Sequence, residues 1–166
     1  DVVGATRPIE QFVEHLSNWY LRRSRRRFWK SESDADKSAA YETLYHALVT
    51  VCLLIAPAMP FLAEELYQNL VVSQNATAPM SVHLASWPAV REEDINTRLN
   101  KDMAVVMKLA SLGHAARNKS NIKVRQPLSE VAFAVGSADE GSVVSQFKDI
   151  LMDELNVKSV RVLSGT

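Results

Sequence analysis

The sequence predicts a mainly α-helical protein, with an antiparallel helical bundle followed by a small α+β module. Apolar residues recur at helical spacing through four long segments before residue 118. Short alternating apolar runs, which are typical of β-strands, begin after residue 130. We therefore predict two domains, a helical bundle at residues 1–118 and an α+β module at residues 119–166.

The first two helices of the bundle carry the clearest apolar stripes. The first is predicted over about residues 7–30, with Thr6 as its N-cap, and the second over about residues 36–55. Both stripes follow the i, i+3, i+4, i+7 spacing of one buried helix face. The stripe residues are Ile9, Phe12, Val13, Leu16, Trp19 and Tyr20 in the first helix, and Tyr41, Leu44, Tyr45, Leu48, Cys52 and Ile55 in the second.

Prolines and one glycine shape the other two helices. Pro57 and Pro60 end the second helix, and Pro60 begins a third that runs to about Leu70. An irregular stretch separates it from the fourth helix, which we predict over about residues 92–117. Gly113 lies on the apolar face of that helix, where the missing side chain permits close approach of another helix at some cost in helix propensity.

A change of pattern after the fourth helix predicts the α+β module. Residues 131–135 form a short β-like apolar run that ends at Gly136. Residues 139–155 have helical spacing, and residues 157–163 alternate as a second strand does. These elements predict a small module that contains both strands and helix.

Composition excludes several classes of protein. A single cysteine, Cys52, permits no internal disulfide and no cysteine-built zinc site. No apolar run approaches the roughly 18–20 residues of a membrane span, and the N-terminus lacks the apolar core of a signal peptide. We therefore expect a cytoplasmic protein without a membrane partner. Because the first residue is Asp1 and not Met, we expect a piece of a longer chain.

The charge distribution favours a nucleic-acid partner although the net charge is zero. The chain has 19 Lys and Arg against 19 Asp and Glu. Residues 22–30 hold six cations and no acid, and residues 117–125 hold four cations and no acid. With those ten set aside, nine cations remain against 19 acids, a net charge of about −10. The neutral sum therefore hides two basic blocks on an acidic body, which can steer a polyanion.

Helix geometry divides the first basic block into two faces. Arg23 and Arg27 fall on the same stripe as the apolar residues of the first helix. The opposite side carries Arg22, Arg25 and Trp29. Since a core does not tolerate unpaired arginine, either the helix extends beyond the core or acids on neighbouring helices pair with Arg23 and Arg27.

Arginines beside aromatic residues suit RNA. Guanidinium groups bind phosphates in a forked geometry, and aromatic faces stack on unpaired bases. The alternative is a solvated helix end that complements the helix dipole and forms internal ion pairs. In the second block, Lys123 and Arg125 alternate with apolar residues as in a short extended segment, which can reach phosphate or a base edge. Its alternative is an exposed linker.

Signals for catalysis are missing from the sequence. The four histidines are scattered, and no glycine-rich phosphate loop occurs. Glu64 and Glu65 are adjacent on a helix and point about 100° apart, which favours charge near a helix start over a catalytic pair. We predict no catalytic residue and no metal site.

Several stretches, in order, resemble isoleucyl-tRNA synthetases, which are class I aminoacyl-tRNA synthetases. The string Leu16–Lys30 resembles the first helix of their anticodon domain, and Lys123-Val124-Arg125-Gln126-Pro127-Leu128 is the other specific match. Weaker matches are Tyr41–Tyr45, Ile55–Tyr67, Ser81–Leu84 with Trp87-Pro88, and Ala115–Arg117. The resemblance covers roughly residues 5–130 well and the remainder loosely.

The resemblance implies a helical bundle of the class I synthetase anticodon-binding type, which receives the anticodon stem-loop of isoleucine tRNA. It also implies a full-length ligase of protein biosynthesis that uses ATP with magnesium to attach isoleucine to this tRNA. The family's His-Ile-Gly-His and Lys-Met-Ser-Lys-Ser signatures and its editing domain are absent, so we expect a non-catalytic fragment without a cofactor. Some bacterial members carry a C-terminal zinc module, but this chain lacks its cysteines.

The resemblance also assigns partners and candidate contacts. The expected partners are isoleucine tRNA and the catalytic and editing domains of the parent chain, in a monomer. Two alternatives remain: a module that mainly braces the synthetase, and the same domain of a valine- or leucine-specific enzyme. The residues expected to grip the anticodon-stem backbone are Arg22, Arg23, Arg25, Arg26 and Arg27, with Asn18 and Trp29 near the loop bases and Lys119, Lys123, Arg125 and Gln126 in a second contact region.

Overall fold

The computed structural model describes residues 1–30 and 33–164, and the chain divides into two compact units, residues 1–90 and 91–166. The boundary predicted between residues 118 and 119 differs from this division by the helix Thr97–Lys119. That helix packs on elements of the α+β module, so it lies in the second unit and not with the bundle. The predicted domains stay a prediction.

The first helical stretch begins earlier than predicted. Helix α1, Val2–His15, starts directly after Asp1, whose carboxylate accepts a hydrogen bond from the Val3 amide at 3.1 Å. The predicted N-cap, Thr6, therefore lies inside the helix, as does Pro8. The prediction was wrong because Asp is a stronger N-cap than Thr, and the helix extends back to it.

A π-helical segment, Leu16–Leu21, joins α1 to helix α2, Arg22–Lys30. In an α-helix, positions four residues apart drift around the axis by about 40° at each step. The wider turn of a π-helical segment offsets this drift. The side chains that the stretch turns inward are consequently spaced by four residues: Leu16, Tyr20, Ser24 and Phe28.

Helix α3, Asp34–Ile55, pairs with the first helical stretch in an antiparallel arrangement. The hydroxyl of Tyr20 donates to the carbonyl oxygen of Ala40 at 3.0 Å. Further along α2, Arg27 bonds to Asp36 near the start of α3. Later residues of one helix thus meet earlier residues of the other, as the predicted bundle requires.

Helix α3 also passes a length and composition test for a membrane span, with a mean hydropathy of 1.4 over 18 residues. The prediction that no stretch approaches this limit is therefore wrong by that criterion. It overlooked α3 because polar residues interrupt the apolar run, although few of them are charged. Core helices of bundles can meet the same test; in α3, 17% of the window is buried, and the helix contacts α1, α2 and α4.

Helix α4, Pro60–Tyr67, starts at the predicted proline and continues as a π-helical turn, Gln68–Val72. The predicted end near Leu70 is therefore confirmed. A 3-10 turn, Val82–Leu84, packs beside it. The carboxylate of Glu64 holds this turn, since it accepts hydrogen bonds from Ser81 Oγ at 2.8 Å and from the Val82 amide at 2.9 Å. The buried residues of this region are Ala56, Ala63, Tyr67 and Val82.

The second unit is built on helix α5, Thr97–Lys119. It starts five residues later than predicted, because Glu92–Asp94 form a separate 3-10 turn and Asn96 caps the helix through a 2.9 Å bond from the Leu99 amide. The predicted role of Gly113 is confirmed. A Cβ atom at Gly113 would lie 2.5 Å from Cδ1 of Leu155, so any larger residue here would force the Leu155 side chain to shift.

The α+β module consists of two parallel strands joined through two helices. Strand β1, Val131–Val135, pairs in register with β2, Val160–Ser164. Parallel strands need a crossover, which here is α6, Ala138–Gln146, followed by α7, Lys148–Leu155. The single helix predicted at residues 139–155 is therefore divided near Phe147. The predicted fold class, mainly α with a small α+β module, is confirmed.

Candidate nucleic-acid interface

Four of the predicted site residues share one open hollow on the first helical stretch. The hollow has a volume of about 370 Å³. Its position confirms that Arg22, Arg25 and Trp29 lie on one side of the helix. The residues that line it are Ser17, Asn18, Leu21, Arg22, Arg25, Phe28 and Trp29.

The π-helical segment supplies a carbonyl oxygen that binds the side chain of Arg22. Such a segment moves main-chain hydrogen bonding from the fourth to the fifth preceding carbonyl. The carbonyl oxygen of Asn18, inside the segment, accepts a hydrogen bond from Nε of Arg22 at 2.9 Å. This bond directs the exposed guanidinium of Arg22 along the wall of the hollow.

Phe28 and Trp29 are neighbours with different roles. Phe28 is buried, and its ring centroid lies 5.0 Å from that of Tyr41 and 6.4 Å from that of Tyr20. Trp29 is 81% exposed at the rim of the hollow. Phe28 therefore packs α2 on α3, while the indole of Trp29 presents an aromatic face to solvent.

The remaining arginines of the first block differ in their surroundings. Arg26 is exposed, whereas Arg23 is half-buried with its guanidinium carbon 5.4 Å from the ring centroid of Trp19, a cation–π distance. Arg27 forms a bidentate ion pair with Asp36, with Nε 3.0 Å from both carboxylate oxygens and one terminal nitrogen 2.7 Å from Oδ1. The hydrogen bonds that Arg27 donates to the Asp36 carboxylate raise the pKa of Arg27 above its ordinary value.

The first block therefore combines both roles that its sequence allowed. The predicted pairing of a stripe arginine with an acid of the next helix is confirmed for Arg27 and Asp36. On the other side, Arg22, Arg25 and Arg26 are exposed. The ion pair braces α2 against α3, and the exposed arginines lie on the opposite face.

The second basic block begins where α5 ends. The amide of Ile122 donates to the carbonyl oxygen of Arg117 at 2.9 Å, and the amide of Asn121 donates to that of Asn118 at 3.1 Å. These two bonds form a Schellman motif. Asn121 occupies its left-handed position, with φ of 55°, a conformation that asparagine tolerates better than most residues. The chain thus leaves α5 in a defined turn.

Arg117 is the residue that sequence reasoning missed. The sequence shows it only as one of the four cations of the second block, but it is 4% exposed. Its guanidinium donates to the carbonyl oxygens of Lys123, Gln126, Leu155 and Asn156 at 3.0, 3.0, 2.6 and 3.1 Å. Spacing contained a signal, because Arg117 continues the apolar stripe of α5 four residues after Gly113.

The other predicted residues of the second region lie at the surface. Lys119, Lys123, Arg125 and Gln126 are all exposed. The carbonyl oxygens of Lys123 and Gln126 are bonded to Arg117, so the main chain of this segment is held while its side chains remain in solvent. The two basic blocks lie in different compact units.

Residue types that can bind metals or act as nucleophiles contribute to the fold in this structure. Among the described residues, no group of three His, Cys, Asp or Glu side chains is placed to hold a metal ion. Glu64 holds the 3-10 turn at Val82, as its hydrogen bonds show. Cys52 is buried, and burial raises the pKa of its thiol, which disfavours the nucleophilic thiolate.

Comparison with known proteins agrees with this arrangement. Residues 4–132 match the family model described as the anticodon-binding domain of tRNA ligase. The chain is 51% identical to an isoleucine–tRNA ligase of Dehalococcoides mccartyi over 98% of its own length and 16% of that relative. It is 44% identical to one of Clostridium kluyveri, over 96% and 15% of the two chains. For a ligase of Chlamydia trachomatis the identity is 43%, over 100% and 16%.

These relatives are much longer than the chain, which spans about one sixth of their length. The resemblance to isoleucyl-tRNA synthetases is confirmed, and it extends through the α+β module because the alignments cover nearly the whole chain. The family model covers the first unit, α5 and the basic segment that follows. The chain belongs to the family of anticodon-binding domains of tRNA ligases.

Proposed function

We propose that this chain docks the anticodon stem-loop of isoleucine tRNA, which the rest of an isoleucine–tRNA ligase then aminoacylates. The observation that carries the proposal is the exposed Trp29 beside Arg22 and Arg25 around one hollow. ATP with magnesium and the catalytic residues belong to the remainder of the longer protein. On this proposal the fragment itself is a binding module and catalyses nothing.

The chemistry of the hollow suits a structured RNA with unpaired bases. Arginine binds phosphate oxygens through a planar fork of donors, which fixes orientation as well as charge. An exposed indole offers a stacking surface to a splayed base. The amide of Asn18 lies on the same wall and carries both a donor and an acceptor for a base edge. A stem followed by an open loop presents phosphates and unpaired bases in this order.

The second region contributes cations from a different type of scaffold. Lys119, Lys123 and Arg125 project from the segment after α5, and Gln126 adds an amide. No acidic side chain interrupts residues 117–125. We assign this segment to a phosphate contact, so its loss should weaken binding to any tRNA of similar shape.

Charge reversal of two exposed arginines of α2, Arg22 in the hollow and Arg26 beside it in sequence, tests the proposal. We expect the R22E/R26E variant to bind isoleucine tRNA at least about tenfold more weakly at low salt, because two phosphate contacts become repulsive. The slope of log affinity against log salt should fall by about two. A mobility-shift titration at two salt concentrations, with isoleucine tRNA and a non-cognate tRNA, measures both quantities.

The matched control reverses an exposed arginine elsewhere in the same unit. Arg7 lies on α1, outside the hollow. R7E has half the charge change of the double variant, so we expect at most a small, salt-screened loss of affinity. Unchanged affinity of R22E/R26E, with a normal circular dichroism spectrum, would contradict the assigned role of these arginines.

A second candidate function, bracing of the parent enzyme, is favoured by apolar exposure in the first unit. Phe61, Met80 and Trp87 are 90%, 74% and 64% exposed, although large apolar side chains are usually covered. We assign their partner to the remainder of a longer ligase, since the relatives extend far beyond this chain. F61S should then lower the thermal stability of the longer enzyme and leave the tRNA affinity of the 166-residue chain unchanged.

The remaining features of the proposal follow from the parent enzyme. We propose a cytoplasmic monomer that binds through its own side chains and without zinc. A valine- or leucine-specific ligase is the alternative assignment, although the isoleucine enzymes that match over the whole chain favour the first. Comparing valine and leucine tRNAs with isoleucine tRNA in the same titration separates these assignments by relative affinity.

A further inference from the structure

We propose that Arg117 is a positioning residue for tRNA binding. From inside the second unit it holds the main chain of residues 119–126, so that Lys123 and Arg125 are presented from a preformed segment. This inference rests on the proposed tRNA contact of that segment. It separates Arg117 from its basic neighbours, because Arg117 itself does not reach the ligand.

The hydrogen bonds of Arg117 reach two separate parts of the chain. One terminal nitrogen donates to the carbonyl oxygens of Lys123 and Gln126, each at 3.0 Å. The other donates to the carbonyl oxygens of Leu155 and Asn156 at 2.6 and 3.1 Å. The buried guanidinium thereby connects the basic segment to the end of α7, although the two are about thirty residues apart in sequence.

The end of α7 explains why a buried arginine is stable at this place. The last carbonyl groups of a helix lack helical partners and carry partial negative charge. The carbonyl oxygen of Leu155 is one of these groups, and it accepts the shortest of the four bonds. A planar guanidinium can serve four acceptors in two directions, whereas the compact ammonium of lysine cannot reproduce this fork.

A second side chain holds the same segment. Nδ2 of Asn156 donates to the carbonyl oxygen of Val124 at 3.0 Å. Asn156 has φ of 49°, the left-handed position that ends α7. Within the segment, the amide of Gln126 closes a turn onto the carbonyl oxygen of Lys123 at 3.0 Å. The carbonyl groups of Lys123, Val124 and Gln126 are thus all bonded to residues outside the segment.

A held segment binds a polyanion better than a flexible one with the same charges. Ordering a loop when the ligand binds costs conformational entropy that a preformed loop does not lose. The side chains of Lys123 and Arg125 still keep their own rotamer freedom in solvent, since both are exposed. Arg117 therefore acts on affinity through the main chain that carries these cations.

A mutant cycle on the 166-residue chain tests this role. We expect K123A/R125A to weaken binding of isoleucine tRNA by about tenfold at low salt when Arg117 is present. In an R117Q background we expect the same pair of substitutions to weaken binding less than about threefold, because the cations are no longer positioned. Equal losses in both backgrounds overturn the positioning role.

N156G provides a milder test in case R117Q disrupts the second unit. Glycine accepts the left-handed conformation of this position and removes only the amide that holds Val124. We expect N156G to diminish the effect of K123A/R125A in the same direction, by a smaller factor. If N156G leaves that effect unchanged while R117Q abolishes it only in chains that have lost their native circular dichroism, the positioning role is refuted.

Limited trypsin digestion measures how accessible the main chain of residues 119–126 is in the absence of tRNA. Cleavage after Lys119, Lys123 and Arg125 should become several-fold faster in R117Q and N156G, while cleavage within residues 1–90 stays constant as the control. Unchanged cleavage would show that Arg117 and Asn156 do not hold the segment. If the variants open the segment but K123A/R125A never weakens tRNA binding, the holding role is correct and the proposed tRNA contact of this segment fails.

Discussion

The two basic blocks of the molecule use arginine differently. On α2, Arg22, Arg25 and Arg26 are exposed on a regular helix, whose hydrogen bonds already fix the spacing of its side chains. After α5 the main chain is irregular, and Arg117 is buried to hold it through four carbonyl oxygens. A helix displays its charges without further support, whereas an irregular segment needs a residue that fixes its main chain.

This difference shows that a run of basic residues is not one functional unit. Within the first block, Arg27 pairs with Asp36 and stabilises the contact between α2 and α3. Within the second, Arg117 bonds to main chain. Arg27 and Arg117 carry the same charge as the exposed cations beside them. They differ from those cations in their burial and in the groups that accept their hydrogen bonds.

The largest expected effect comes from removing the buried arginine. R117A removes a donor from four carbonyl oxygens. Those of Lys123 and Asn156 keep a main-chain donor, whereas Arg117 is the donor to those of Gln126 and Leu155. An unsatisfied buried polar group costs about 1–3 kcal/mol. We expect the free energy of unfolding of the second unit to fall by about 3–5 kcal/mol, since the losses are only partly additive. Amide hydrogen exchange in α7 measures this loss.

The comparison residue for R117A is an arginine of the other region. R25A removes an exposed side chain from α2, and we expect a change within about 0.5 kcal/mol in the stability of the first unit. Equal destabilisation by R117A and R25A would show that the two regions are not held differently, and would remove the basis of the comparison.

A substitution at Gly113 tests the packing that brings α7 near Arg117. A valine at this position forces its side chain into Leu155, whose Cδ1 would lie 2.5 Å from the added Cβ. We expect G113V to destabilise the second unit by about 2–3 kcal/mol, as overpacked cores do. G113A should cost less, because alanine recovers about 1 kcal/mol of helix propensity.

R26V is the matched control for G113V, since it places the same side chain at an exposed position of α2. Only the weaker helix propensity of valine applies there, and we expect a cost below about 0.7 kcal/mol. Hydrogen exchange measured at increasing urea concentration gives the stability of each unit separately. If G113V is as stable as the parent chain, α5 and α7 do not depend on the glycine contact.

Local sequence signals account for much of the fold. Prolines placed the start of α4 and the end of α3, and the apolar period of α5 identified Gly113 as a contact residue. The π-helical segment Leu16–Leu21 was not predicted, because no turn or breaker residue marks it. The segment accompanies inward side chains at four-residue intervals, a spacing that becomes visible only when the stretch is packed on α3.

The site was predictable to the extent that helix geometry determines it. The common face of Arg22, Arg25 and Trp29 follows from their spacing on a helix. The acceptors of Arg117 do not follow from spacing, since Leu155 lies 38 residues away and meets it only through tertiary packing. Asp36 was likewise an open choice among several acids until the helices were paired.

A substitution of Trp29 tests whether the first region binds bases as well as phosphates. Base–aromatic stacking contributes about 1–3 kcal/mol per base, so W29A should weaken tRNA binding by roughly 5- to 150-fold. The salt slope should stay the same, because no charge is lost. W87A removes another exposed tryptophan of the same unit and should leave affinity unchanged. A changed salt slope in W29A would indicate that the substitution disturbs the neighbouring arginines instead.

The smallest expected effect is a difference in acid sensitivity between a segment held by a carboxylate and one held by Arg117. Hydrogen bonds from Gln68, Ser81 and Val82 lower the pKa of Glu64 below its ordinary value of 4.5. A carboxyl group with a lowered pKa contributes stability that is present above its unfolded pKa and is lost as pH falls through its folded pKa. The turn at Val82 should therefore open more readily below about pH 4.5.

Amide hydrogen exchange of Val82 measures this response once the intrinsic exchange rate is corrected for pH. E64Q keeps an acceptor at this position but does not titrate in the acid range, so its Val82 amide should lose most of the extra pH dependence. The Gln126 amide is the internal comparison, since its partner and the acceptors of Arg117 are carbonyl oxygens that do not titrate. A pH response at Gln126 as large as that at Val82 would mean that ionisable groups also hold the basic segment, and that the two regions differ less than their hydrogen bonds imply.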